Sequence, residues 1–399
     1  MIPQPEPIAA QEFTSSEGFQ RALEIAAETA AGVDRDARFP AEAVAALKLV
    51  GALGWGVPRA YGGAGASIGE LSEATLELSR RCATTGMIFA MHQIQVACIA
   101  RHGGGSPWFA TYLRRVAAEQ RLIASATSEI GVGGDIRKSI AALRLDAESN
   151  GAGMVEFEKK ASTISYGAAA DDLLTTVRRN AEADPGDQVL VLTHTSEMQM
   201  KQSGEWDTLG MRGTCSPGFL IRATLSPDQV LPVPFAVISA ETMVPFSHIL
   251  WSHVWLGLAA DAFQRAQNFV RDQARQNPGT TPPSALRLSE LSAHMAQFRA
   301  MVRAAREEFR EIDESPDRGR LSTIGYAVRI NNLKIAASEA VVDACERALR
   351  VCGVFGYKNG GPYSVGRHLR DAHSAALMIA NDRLHATNAA LLLVHREQA

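Results

Sequence analysis

No stretch of the 399-residue chain approaches the roughly 18 uninterrupted apolar residues that a membrane-crossing helix requires, so a bilayer span is not expected. Neither sign of charge is in excess: 40 Lys and Arg face 43 Asp and Glu, for a formal net charge of -3. Without a basic footprint, nucleic acid is not an expected partner. Cysteine is sparse, and the five present (Cys82, Cys98, Cys215, Cys345, Cys352) are scattered and without metal-ligand spacing. They read as free, mostly buried thiols in a reducing cytoplasm. Met1 to Gln11 is proline-containing and lacks the basic-then-apolar order of a secretory signal. Internal repeats are absent too. These absences leave a soluble, cytoplasmic, mainly helical protein as the expectation.

What is present has a clear order. Apolar residues make up 46% and charged residues 21%, ordinary for a globular chain, and the length suits two or three domains. Residues 17–33 carry a helical period, and Phe39-Pro40 opens a second helix that ends at Gly51. The glycine-rich run Gly54 to Gly65 has no strand before it and no Lys-Ser/Thr after it, so it reads as a turn between helices rather than a phosphate cradle. Helical period returns over 69–119, broken at Gly103 to Pro107. From 121 the pattern shifts to short apolar runs between turn residues: Leu122–Ala126, Leu173–Val177, Val189–Thr193 and Phe235–Ser239. After Pro245 the helical period resumes in four long segments, 247–276, 284–312, 322–351 and 364–394, as in an up-and-down bundle. The expected fold is therefore α+β: a helical domain over 1–120, a sandwich- or barrel-like β domain over 121–236, and a four-helix bundle over 237–399. A glycine-punctuated turn, Gly204 to Pro217 with Trp206 in it, sits at the centre.

Four motifs lie in order along this plan. They are Leu53-Gly54-Trp55-Gly56-Val57-Pro58-Arg59-Ala60-Tyr61-Gly62-Gly63, then Ser128-Glu129 through Asp135, then Cys352-Gly353-Val354-Phe355-Gly356-Tyr357, and last Arg370-Asp371-Ala372. With the Trp206…Gly210-Met211-Arg212 turn, they make the chain resemble the acyl-CoA dehydrogenase flavoprotein superfamily along nearly its whole length. The resemblance implies FAD, with FMN as the alternative. Ser128, Gly134, Thr163 and Ser165 would then hold the flavin ring, with Ser162 on the same segment. Gly353, Val354 and Gly356 would hold its adenine part, and Arg271 or Arg275 its pyrophosphate, because Gln273 stands where members carry the usual arginine. It also implies a homotetramer, a dimer of dimers with sites at subunit interfaces.

Desaturating an acyl thioester takes a base for the α-proton while flavin accepts a hydride. The positions where members carry that base as Glu fall here on Ile379 and on the Ser247-His248 region, neither of which offers a carboxylate. An isoleucine cannot take a proton. Asp382, beside Arg383, is the candidate replacement carboxylate in a different register, while His92 and His385 resemble histidines of the flavin monooxygenases on this fold, one facing the flavin and the other acting on bound oxygen or substrate. Each has a plain structural reading beside the catalytic one: an inter-helix hydrogen bond for His92, a helix surface for the other two. The leading expectation is an oxidoreductase acting on an acyl thioester of CoA or a carrier protein, with an electron-transfer partner. Two others stand beside it: a two-component flavin monooxygenase fed by a flavin reductase, and a non-catalytic subunit in a heteromer with a homologous chain.

Overall fold

A computed structural model describes residues 12–133, 135–145 and 153–396. The first part is helical: α1 (Glu12–Ser15), α2 (Glu17–Arg35), α3 (Ala41–Leu49), α4 (Ile68–Arg81), α5 (Ala83–His102) and α6 (Pro107–Glu119). Local chemistry sets the starts. Ser16 caps α2 through Phe19 N, Ser67 and Glu70 form a reciprocal capping box on α4, and Ser106-Pro107 opens α6. The 20-residue α5 is long and apolar enough to cross a membrane, but protein encloses it on nearly every side, which makes it the central helix of this part. The glycine-rich loop folds against α5 through Trp55, whose ring packs on Phe13 (5.0 Å), Phe19 (5.2 Å) and Phe89 (6.1 Å). A Cβ on Gly63 would lie 2.2 Å from Val57 O, so glycine here serves the tightness of the turn.

Seven strands follow: β1 (Ile123–Ala126), β2 (Arg144–Leu145), β3 (Val155–Ala161), β4 (Asp172–Arg178), β5 (Gln188–His194), β6 (Met198–Ser203) and β7 (Gly218–Leu225). They form two sheets, ordered β1-β4-β5 and β2-β3-β7-β6, with β1 and β4 parallel and the remaining pairs antiparallel. β4 and β5 are buried nearly throughout, which is why they appear in the sequence as continuous apolar runs. β3 alternates buried and exposed positions and carries Glu156, Glu158 and Lys160 outward, so no apolar run marks it, whereas β7 opens on the short run Phe219-Leu220-Ile221 and alternates only after it. The run Phe235–Ser239, expected as a strand, is helical instead. It forms α7 (Phe235–Ile238) and the start of a five-residue π segment, Ser239–Met243, that leads into α8 (Val244–Gln276). A short apolar run fits either state, and here Pro234 starts a helix. Pro245, lacking an N–H, accounts for the widened turn before it.

α8 packs with α9 (Ser284–Glu314) and α10 (Ile324–Cys352), followed by the short α11 (Val354–Tyr357), α12 (Gly366–Ala372) and α13 (Asn381–Leu392). The last helix expected over 364–394 is thus split by turns across 373–380. Within the break Ile379 has φ +49°, a left-handed conformation unusual for a β-branched residue.

The central turn between β6 and β7 joins all three parts. Met211 N donates to Asp371 Oδ1 (2.6 Å), and Arg370 donates to Leu209 O (3.1 Å) while its guanidinium grips the Asp34 carboxylate. Arg212 Nε donates to Asp34 O (3.0 Å) at the end of α2. A Cβ on Gly210 would come within 2.0 Å of Arg370 O, so the turn seats directly on bundle backbone. Burial raises the Asp371 pKa to about 6, against the opposing pull of its bond from Met211 N.

Two outcomes are expected. Gly210→Ala costs about 3 kcal/mol or more of unfolding free energy in urea, through overpacking against backbone that cannot yield. Asp371→Asn keeps an acceptor for Met211 N but removes the buried charge. A carboxyl whose folded pKa is raised loses stability as pH rises through about 6, so the variant gains on the wild type between pH 4 and 7. A stability difference that stays flat across that range contradicts this.

Candidate functional site

Where β1 and β3 end, their following loops are stitched by hydroxyls. Ser128 Oγ donates to Thr163 O (2.7 Å) and accepts from Thr163 N (3.1 Å). Ser165 Oγ lies 2.9 Å from Ser216 Oγ, which in turn lies 2.9 Å from Thr214 Oγ1, so a chain of hydroxyls runs from the central turn to the strand end. Thr163 is exposed, and Ser128 and Ser165 are half-buried. This rim presents polar groups on rigid strand ends, suited to the polar edge of a planar ligand. Gly134, expected to contribute here, lies outside the described residues. Glu129 is spent on structure: it accepts from Ser139 Oγ, Ile140 N and Ala141 N and lies 3.6 Å from the buried Lys159 amine.

A second polar feature lies between α8 and α10. His248 Nδ1–H donates to Ile330 O (3.0 Å), which fixes the tautomer and leaves Nε2 as a buried acceptor with no partner. Trp251 Nε1, one turn further along α8, and Tyr326 OH, one turn before Ile330, are buried and unpartnered as well. Burial lowers the His248 pKa to about 4, so the ring is neutral at pH 7. His248 Nε2 and Trp251 Nε1, one turn apart on α8 and without partners among the described residues, are what a bound polar group or ordered waters would satisfy.

One turn beyond Ile330, the fully buried Lys334 donates to Ile379 O and Asn381 Oδ1, both at 2.8 Å, with its amine 5.9 Å from the Trp255 ring. It has no carboxylate partner among the described residues, and burial lowers its pKa to about 8. Lys334 therefore closes the break before α13 and holds Ile379, at the expected base position, in its left-handed conformation.

The other candidates fall elsewhere. His92 is fully buried in α5, with Nε2–H donating to Leu53 O (2.8 Å) and Nδ1 accepting from Ile123 N (3.1 Å). Both ring nitrogens are spent on backbone, tying the glycine-rich loop to β1, and burial lowers its pKa to about 4. In this arrangement neither ring nitrogen is left free for a ligand. His385 and Asp382 lie on the exposed face of α13 with no partner among the described residues, so the single chain assembles no catalytic pair from them. Arg271 is exposed and Arg275 pairs with Asp272 (2.9 Å). The Phe269–Phe355 ring contact (5.7 Å) brings this end of α8 beside the Gly353–Tyr357 turn, so both sets of expected adenine and pyrophosphate contacts share one end of the bundle. There Gly353 and Val354 are exposed, while Gly356 packs against Cys352. Asp261 pairs with Arg265 (2.8 Å) and with His368 Nε2 (2.7 Å). His248, Trp251 and Lys334 were not singled out as site residues. The signal for them was a histidine and a lysine inside otherwise apolar helical stripes.

Comparisons with known proteins agree with this geometry. The family model described as "Acyl-CoA dehydrogenase, N-terminal domain" matches residues 19–120, and "Acyl-CoA dehydrogenase, C-terminal domain" matches 240–379. A dibenzothiophene monooxygenase of Mycolicibacterium goodii is 27% identical over 331 residues, covering 78% of this chain and 77% of that protein. The human mitochondrial short-chain specific acyl-CoA dehydrogenase is 24% identical over 346 residues, covering 86% and 80%. The FMN-bound structure of TdsC from Paenibacillus sp. A11-2 superposes with a TM-score of 0.80 at 22% identity, covering 96% and 98%. The chain belongs to the acyl-CoA dehydrogenase superfamily, whose members are flavin oxidoreductases.

Lys334→Met keeps the apolar fill but leaves Ile379 O and Asn381 without their donor. The expected result is a loss of about 1–3 kcal/mol and faster amide hydrogen exchange confined to 373–383. Unchanged exchange in that segment contradicts the role assigned to Lys334.

Proposed function

We propose that this chain is the oxygenase component of a two-component flavin monooxygenase, taking reduced FMN from a separate reductase and acting on a small, largely apolar substrate. The observation that carries the reading is the chemistry at the two expected base positions. One is Ile379, bound through its carbonyl to Lys334; the other is the Ser247-His248 region, where His248 is neutral. Neither supplies the carboxylate that α-proton abstraction uses in dehydrogenases of this fold.

Reduced flavin would supply the two electrons that activate O₂. The chain's own residues have the remaining tasks. Ser128, Thr163 and Ser165 would hold the polar edge of the flavin ring on the strand ends. His248 Nε2 would accept, and Trp251 Nε1 donate, a hydrogen bond to polar groups admitted to the seam. The packed helices would exclude water from it. FMN, lacking the adenosine half, makes no demand on the Gly353–Gly356 turn or on an arginine at the position of Gln273. FAD would use that turn together with Arg271 or Arg275.

Val354, Phe355 and Tyr357 are large apolar side chains left more than half exposed at the bundle end. They support a homo-oligomer in which a second copy covers them. A cytoplasmic setting belongs to the same proposal. The acyl-thioester dehydrogenase reading ranks second, supported by the similarity to the human dehydrogenase; in it the electron acceptor would be an electron-transfer protein.

The test is a pair of assays on the purified full-length chain. With FMN, NADH and a flavin reductase, dibenzothiophene used as an aromatic probe is expected to give an oxygenated product in proportion to O₂ consumed. Anaerobic addition of an acyl-CoA series to the flavin-loaded chain is expected to leave the flavin absorbance unchanged. Bleaching by any acyl-CoA, with no oxygenated product, overturns the reading in favour of a dehydrogenase.

A further inference from the structure

A cavity of about 300 Å³ opens between α4, α8 and α9, on residues that none of the preceding functional roles uses. Its floor is apolar, with Leu76, Leu256 and Phe263, and is rigid because a Cβ on Gly257 would meet Leu76 O at 2.5 Å. His253 lines it. This ring is 1% exposed and its Nδ1–H donates to Ile249 O (2.8 Å), so its Nε2 is an acceptor left without a partner among the described residues. At this volume the cavity lies at the lower end of ligand pockets and is too small for a flavin dinucleotide or a CoA thioester.

The charges around it are uneven. Glu77 is taken up by Arg80 (3.0 Å) and Glu73 by Arg306 (2.7 Å). Arg299 and Arg303, both exposed on α9 at the rim, have no carboxylate partner among the described residues. Two uncompensated guanidinium groups over an apolar floor match a small amphipathic anion, whose head they would clamp while its chain covers the floor.

We propose that this cavity binds a short aliphatic carboxylate, with the carboxylate on Arg299 and Arg303 and the chain against Leu76, Leu256 and Phe263. A ligand carrying a hydroxyl on its chain gains a further bond to His253 Nε2. The site is separate from the proposed flavin site, so it stands whether or not the monooxygenase reading holds.

Isothermal titration of the full-length protein with hexanoate tests it, with 1-hexanol as the uncharged control. Saturable binding of one hexanoate per chain is expected, weakened about tenfold or more in an Arg299→Ala/Arg303→Ala double variant and absent for 1-hexanol. Both arginines are exposed, so the variant is expected to fold, and an unchanged melting temperature checks this. No saturable binding, equal binding of 1-hexanol, undiminished binding by the double variant, or displacement of hexanoate by FMN would each overturn the proposal.

Discussion

The seating of the β6–β7 turn on the Arg370-Asp371 backbone is the contact on which the remaining architecture depends. Among the described residues only single 3-10 turns, and no α-helix, lie between the strands of the two sheets, so the β part is positioned largely from outside. The turn does this by reaching two helical parts at once. Asp371 receives Met211 N, Arg370 spans Leu209 O and the Asp34 carboxylate, and Arg212 reaches the end of α2. Gly210 permits the approach because any side chain there would overlap Arg370 O. The same turn carries Thr214 and Ser216, so the contact that fixes the domains also fixes the hydroxyl chain to Ser165.

Just beyond this contact the chain does something costly. It ends α12, runs through turns to Ile379 in a left-handed conformation, and restarts as α13, all against a buried lysine with no counter-ion among the described residues. A buried amine held only by neutral oxygens is an expensive way to stop a helix. Its return is a fixed main-chain geometry at Ile379, held from the same helix, α10, that receives the His248 bond. Strain at Ile379 and the unpartnered polar atoms of His248 and Trp251 are the observations on which the proposed function draws.

Much of this was legible in the sequence, for identifiable reasons. The helical period gave α2 through α6 and the bundle, because those helices each bury one face or are enclosed. The apolar runs gave β1, β4 and β5 because those strands are covered on both sides. β3 was not visible as a run, since Glu156, Glu158 and Lys160 alternate with its buried positions, and β7 offers only the three-residue run Phe219-Leu220-Ile221. The break before α13 was hidden as well. Ser374 to Ile379 carries no glycine or proline, and the residue that stops the helix, Lys334, lies 45 positions earlier in the chain from Ile379. In the site, the loss of a carboxylate at Ile379 was plain from motif spacing. The fate of His92 was not, because its two partners, Leu53 O and Ile123 N, are backbone atoms from distant segments.

The central claim, that this fold has been turned from thioester oxidation to oxygen chemistry with a shuttled flavin, is tested most directly by flavin affinity as a function of redox state. An oxygenase that receives its flavin from a reductase has to hold the reduced form in preference to the oxidised one. A dehydrogenase keeps oxidised FAD as a resident group. Anaerobic titration of the purified chain with reduced FMN, beside aerobic titrations with oxidised FMN and FAD, separates the two. Reduced FMN binding at least about tenfold more tightly than either oxidised flavin is the expected result. Stoichiometric oxidised FAD that stays with the protein through purification would contradict the account.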